Sequence, residues 1–342
     1  MNELSKLLFA IALTLLTLII GGNAEHIRDS AQNKDIKQFM VGVLKANGTL
    51  VPFAEYRRGV WWNPWPEPTS PAESNEVGPK SLGDHPEPWF QQCEKAPTTW
   101  YFWSAADSPL VLKTSGTLQV ENHSQTNWAL MTDYPKKQNA EKDSCHDYVG
   151  MALNVDLKVD GMVEIEKNSD EASKIIAYLK PIFSEVEASE LSRLAAEPTL
   201  REFFAVRRFP LPSEERAKVE LTLTKLYRSK PLIDGQHIYY FEVEKHYQKP
   251  VGANDRDCFN VSLFSGWIMK DKDSALDILN ESFGLTNCDG KERGNSVEWF
   301  SVVTLNMQTF LLAVEHGWED ESYTIYELKD HGLTRVLETL GG

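Results

Sequence analysis

The stretch FMVGVLKANGTLVPFAEY, residues 39–56, decides how the rest of the chain is read. Its two apolar runs, 40–44 and 50–56, flank Asn47-Gly48. An Asn-Gly between two such runs is the strongest short-range sign of a β-hairpin, because both residues tolerate the positive φ of a tight turn. Outward from it, Arg58-Gly59 reads as a second turn into Val60-Trp61-Trp62. Further runs with strand character cover 99–103, 110–113, 117–120, 128–132 and 151–159.

The pattern changes once. Ile175, Ile176, Leu179, Ile182, Phe183 and Val186 recur at helical spacing behind Ser169, a good N-cap, which predicts a helix over 170–196. Pro181 is expected to kink or divide it. Alternation resumes at Val219, Leu221 and Leu223, and further strands fit 237–247, 259–270, 297–306, 309–316 and 323–328. A faint repeat joins 259–267 to 310–318, each an apolar run ending in Gly-Trp, at a period that suits a propeller blade. The expected fold is therefore mainly β, a propeller-like or double-sheet architecture with one helical segment near 170–196. Its expected regions are 25–160, β-rich with a Pro/Trp-rich loop; 161–215, a helical connector; and 216–342, β-rich again.

Residues 1–24 read as an address. Lys6 precedes an uncharged, nearly all-apolar run over 7–20, and Gly22-Asn23-Ala24 offers small residues for cleavage after Ala24. This is the pattern of a secretory signal peptide, and the run is shorter than the roughly 20 residues of a membrane-spanning helix. The expectation is a secreted or periplasmic protein with no membrane insertion after cleavage. In that oxidising setting Cys93, Cys145, Cys258 and Cys288 are expected to form disulfides. Four cysteines allow three connectivities, and pairing 93 with 145 and 258 with 288 keeps both bridges local.

Lys and Arg number 35 against 50 Asp and Glu, a net charge of −15. That balance argues against nucleic acid as a partner, since such binding depends on basic patches. The usual nucleotide, metalloprotease, serine-hydrolase and EF-hand motifs are absent, and no cofactor or metal is expected.

Three groups of residues could carry chemistry. Trp61, Trp62, Trp65, Trp89 and Trp103 crowd, with Trp100, into a proline-rich stretch, where flat aromatic faces suit a glycan or protein ligand. On 237–247 an extended chain projects Glu242, Glu244 and His246 from one face, with Tyr239, Phe241 and Val243 on the other. Two carboxylates and an imidazole could trade protons, though a solvent-facing strand has the same pattern. Residues 316–321, from His316 to Glu321, form an acidic turn with many oxygen ligands. Sequons begin at Asn47, Asn122, Asn260 and Asn280. The function expected is a non-catalytic binding or interaction role centred on the tryptophans. The alternative is a hydrolase of glycan or peptide using Glu242 and Glu244 with His246 or His316.

Overall fold

The computed structural model describes residues 36–64, 97–103, 109–122, 125–135, 148–197, 213–232, 235–247, 259–272, 275–287, 296–316, 321–329 and 332–340. The alternation over 39–56 builds β1 (Gln38–Lys45) and β2 (Thr49–Arg57), paired antiparallel. Their turn holds three residues rather than two. The Gly48 N–H donates to the Lys45 carbonyl at 2.9 Å, and Gly48 takes φ +83°, a left-handed value that favours glycine. Asn47 Oδ1 accepts from the Thr49 N–H at 2.9 Å, which steadies the tip. Arg58 and Gly59, both at positive φ, make the tight turn into β3 (Val60–Trp62).

β1 also pairs with β7 (Tyr148–Leu153), β7 with β4 (Thr99–Phe102), β4 with β5 (Leu110–Asn122) and β5 with β6 (Gln125–Thr132). β6 returns to β2 through Thr49↔Met131 and Leu50↔Leu130, closing a six-stranded antiparallel barrel. Its interior is filled by Met40, Leu44, Leu50, Trp100, Phe102 and Leu112, so it is a packed core and not a channel. The runs 110–113 and 117–120 belong to one strand, β5, whose register shifts between Thr114 and Gly116.

The C-terminal half contains two five-stranded sheets. One runs β13 (Leu276–Asn287), β12 (Phe259–Lys270), β11 (His237–His246), β10 (Thr222–Arg228), β9 (Val163–Glu164). The other runs β17 (Gly332–Leu340), β16 (Glu321–Lys329), β15 (Gln308–His316), β14 (Ser296–Leu305), β8 (Asp160–Gly161). β8 and β9 are consecutive in the chain yet join different sheets, so the chain steps between layers across Met162. Ile238, Tyr240, Trp267 and Met269 from one sheet meet Phe300, Val302, Leu311 and Tyr326 from the other. The opposite face of the β14–β17 sheet packs Val303, Phe310, Leu312 and Tyr323 against Phe39, Phe53, Tyr56 and Trp61 on the outside of the barrel. Phe53 is the extra residue of a bulge in β2, and its carbonyl accepts from Thr339 Oγ1 at 3.0 Å.

Helix α1 (Asp170–Ala196) supplies the outermost layer. Ser169 caps it, accepting from the Ala172 N–H at 3.1 Å, and Asp170 and Glu171 complement its dipole in the first turn. Ala172, Ile175, Leu179 and Phe183 face Phe241, Val243, Phe264 and Ile268 of the β10–β13 sheet. The helix continues through Pro181 instead of dividing there. A one-turn helix, α2 (Ser213–Arg216), precedes β10.

The layers thus run barrel, sheet, sheet, helix. The mainly β expectation holds, with one long helix; the antiparallel strands form a barrel and two further sheets, and a propeller is not an arrangement that the described residues show. In the faint repeat, Gly266 has a local cause: a Cβ there would stand 2.3 Å from the Asn280 carbonyl oxygen on β13. Gly317 and Trp318 lie outside the described residues. Gly266→Ala is expected to lower stability by about 1–3 kcal/mol through separation of β12 from β13. Denaturant unfolding with an unchanged midpoint would contradict that close approach.

Candidate functional site

The tryptophans divide by the parity of their strands. On β3, Trp61 points to the core: its ring lies 5.6 Å from Phe39, 5.1 Å from Tyr56 and 5.3 Å from Phe310. Trp62, one residue on, points the other way and is 44% exposed, beside Val60 at 50%. The Arg57 guanidinium stands 5.2 Å over the Trp62 ring, a cation–π contact that helps to hold the indole in place. Trp103 is half-buried and packs with the barrel's outer core, and Trp100 is wholly enclosed. Trp65 and Trp89 lie outside the described residues, as do Cys93, Cys145, Cys258 and Cys288. Trp62 is therefore the accessible member of the group among the described residues.

The β11 row does project from one face, but that face is an interior one. Glu242 is 1% exposed because the β14–β17 sheet covers it. Its Oε1 accepts from the Tyr240 hydroxyl at 2.8 Å and lies 3.1 Å from Lys225 Nζ, its cross-strand partner. Lys225 Nζ also donates to the Val297 carbonyl at 3.2 Å, and the Val297 N–H donates to the Tyr240 hydroxyl at 3.1 Å. This set ties β14 to the neighbouring sheet and encloses Glu242. Burial, then the adjacent Glu242 charge, pushes the Tyr240 hydroxyl well up, so it remains a proton donor at any ordinary pH. Glu244 stands apart, with its Oε1 2.7 Å from His246 Nε2, and the imidazole is largely exposed. A carboxylate so placed orients the ring and leaves its other nitrogen free for solvent.

Three other glutamates take the same tyrosine partner. Glu187, buried on α1, accepts from the Tyr247 hydroxyl and lies 3.5 Å from Arg216 Nε and 3.9 Å from Lys245 Nζ. Burial pulls the Lys245 ammonium below its usual range, against the pull of Glu187. Glu171 accepts from Tyr239 at 2.6 Å and from Arg228 at 3.0 and 2.8 Å. Burial alone would raise its carboxyl, but the Tyr239 and Arg228 hydrogen bonds hold it lower. Glu315 on β15 accepts from the Tyr326 hydroxyl at 2.6 Å. Burial, above the other causes, pushes its carboxyl up.

Residue type and period foretold the β11 row, whereas the other three tyrosine–glutamate pairs join positions 11 to 68 residues apart and had no local signature. Among the described residues no group of three or more His, Cys, Asp or Glu could hold a metal ion. No described helix is long and apolar enough to cross a membrane. The acidic turn after His316 lies at 317–320, outside the described residues. Compared with models of protein families, with curated proteins and with solved structures, the chain matches none, so its own residues carry the functional argument.

Proposed function

We propose that this chain is an exported protein with a non-catalytic binding role, and that it contacts a glycan or protein ligand through the surface around Trp62. The observation that carries this reading is the exposed indole of Trp62, backed by Arg57 and flanked by exposed Val60 at the edge of the barrel sheet. A rigid aromatic on a strand offers large contact area at low entropic cost, which is what sugar rings and proline-bearing peptides use. The enclosure of Glu242 favours binding over catalysis, because a general acid or base must reach its substrate. Export, by the signal pattern of residues 1–24, and disulfides pairing Cys93 with Cys145 and Cys258 with Cys288 belong to the same proposal.

The test is titration of the purified chain, without residues 1–24, against a panel of glycans and proline-rich peptides. Trp62→Ala is expected to weaken binding about tenfold or more with the fold intact. Equal affinity in the variant, or no binding across the panel, would overturn the reading. The hydrolase alternative keeps the exposed Glu244–His246 pair. Turnover of a panel member that disappears in His246→Ala would favour it.

A further inference from the structure

The four sequons do not stand in equivalent places. Asn260 lies on β12, between β11 and β13, and the Ser262 that completes its sequon is wholly buried. Asn280 is exposed but lies within the edge strand β13, where extended chain sets Asn280 and Ser282 about 7 Å apart. Asn122 ends β5, and residues 123 and 124 lie outside the described residues.

Asn47 is placed differently. It stands at the tip of the β1–β2 turn, exposed between buried Ala46 and buried Gly48. The turn beneath it is fixed, because the Gly48 carbonyl accepts from the Thr132 N–H at 3.1 Å and from Thr132 Oγ1 at 2.7 Å. Asn47 Oδ1 accepts twice from Thr49, from the N–H at 2.9 Å and from Oγ1 at 2.6 Å. A backbone N–H can only donate, so the amide oxygen must face the turn and Nδ2 is the atom left for solvent. Nδ2 makes no hydrogen bond among the described residues, and a substituent on it displaces no contact of the fold there.

We propose that Asn47 is a modification site, the acceptor of an N-linked oligosaccharide, a reading that rests on export of the chain through a glycosylating compartment. The donor is a lipid-linked oligosaccharyl diphosphate. Asn47 Nδ2 forms a bond to the anomeric carbon of its first sugar, and the bond from that carbon to the diphosphate oxygen breaks. The lipid diphosphate leaves with the electron pair, and the proton lost from Nδ2 passes to a base of the transferase. Nothing is oxidised or reduced. The product amide keeps its oxygen, so both Thr49 hydrogen bonds persist. Trp62 pairs with Glu55, about 20 Å along β2 from Thr49 at the rise of a strand. A sugar chain on the hairpin tip and a ligand on Trp62 therefore take different ends of β2.

Expression of the full chain, residues 1–24 included, in cultured animal cells tests the assignment. Chain from the medium and the secretory compartments is treated with peptide N-glycosidase in heavy-oxygen water and mapped, because that enzyme leaves a labelled aspartate wherever a glycan stood. Label at position 47 in more than half of the chains is expected. Thr49→Val, which keeps the backbone N–H and removes the hydroxyl, should abolish that label. Thr49→Ser should retain it. Chain in the secretory compartments or the medium with position 47 unlabelled, or label that persists in Thr49→Val, would overturn the inference and leave export standing. Chain confined to the cytosol would overturn the export reading, and the inference with it.

Discussion

Lys225→Met is expected to lower the unfolding free energy by roughly 3–5 kcal/mol, the cost of leaving a buried carboxylate without its cation. Glu242 is sealed between two sheets, and Lys225 Nζ at 3.1 Å is the positive charge that compensates it. Without that ammonium, the carboxylate keeps the Tyr240 hydroxyl but no compensating charge, and the Val297 carbonyl loses the Lys225 donor as well. The double variant Lys225→Met with Glu242→Gln should recover more than half of the loss, because an amide needs no counter-charge. Thermal or urea unfolding of the two variants reads this directly. A single variant as stable as the wild type would show that the pair does not bear on stability. The same experiment speaks to function, since a carboxylate held as a structural tie is unavailable for acid–base work.

Trp61→Ala is expected to cost roughly 3–5 kcal/mol, the range for emptying a large aromatic site in a core. Its ring contacts Phe39 and Tyr56 on the barrel and Phe310 on β15, so it joins two layers. Trp62→Ala, at the adjacent position, is expected to cost less than about 0.5 kcal/mol, as for an ordinary surface substitution. The order of the two unfolding midpoints is the measurement. Equal losses would mean that Trp62 also anchors the fold and would remove it as a contact residue. The contrast rests on strand geometry alone, because successive side chains on β3 point to opposite faces.

Much of the fold was legible where local chemistry and burial agree. The Asn47-Gly48 and Arg58-Gly59 turns need backbone conformations that few residues adopt, so they announce themselves. The helix begins behind Ser169 and spans 170–196 because its cap and its apolar spacing point the same way. Strands β13 and β17 passed unread. Both are edge strands, and both carry polar runs such as Asn280-Glu281-Ser282 and Thr334-Arg335 that break the apolar alternation. Edges face water and another layer at once, so they need less apolar surface than central strands.

The candidate site was legible only as residue types. Alternation on β11 placed Glu242, Glu244 and His246 on one face, and that much follows from the period of a strand. Whether the face is solvent or interior depends on a sheet formed more than 50 residues later, and it is interior for Glu242 yet open at His246. The Glu315–Tyr326 pair was invisible for the same reason: the two meet only through pairing of β15 and β16. By itself the sequence determined the β character, the turns, the helix with its cap and the alternation of faces, all of which arise within a few residues. The tertiary structure decided that one half closes as a barrel, that two sheets stack face to face, and which carboxylates are buried. Burial is a property of what packs on top, and distant segments of the chain supply that cover.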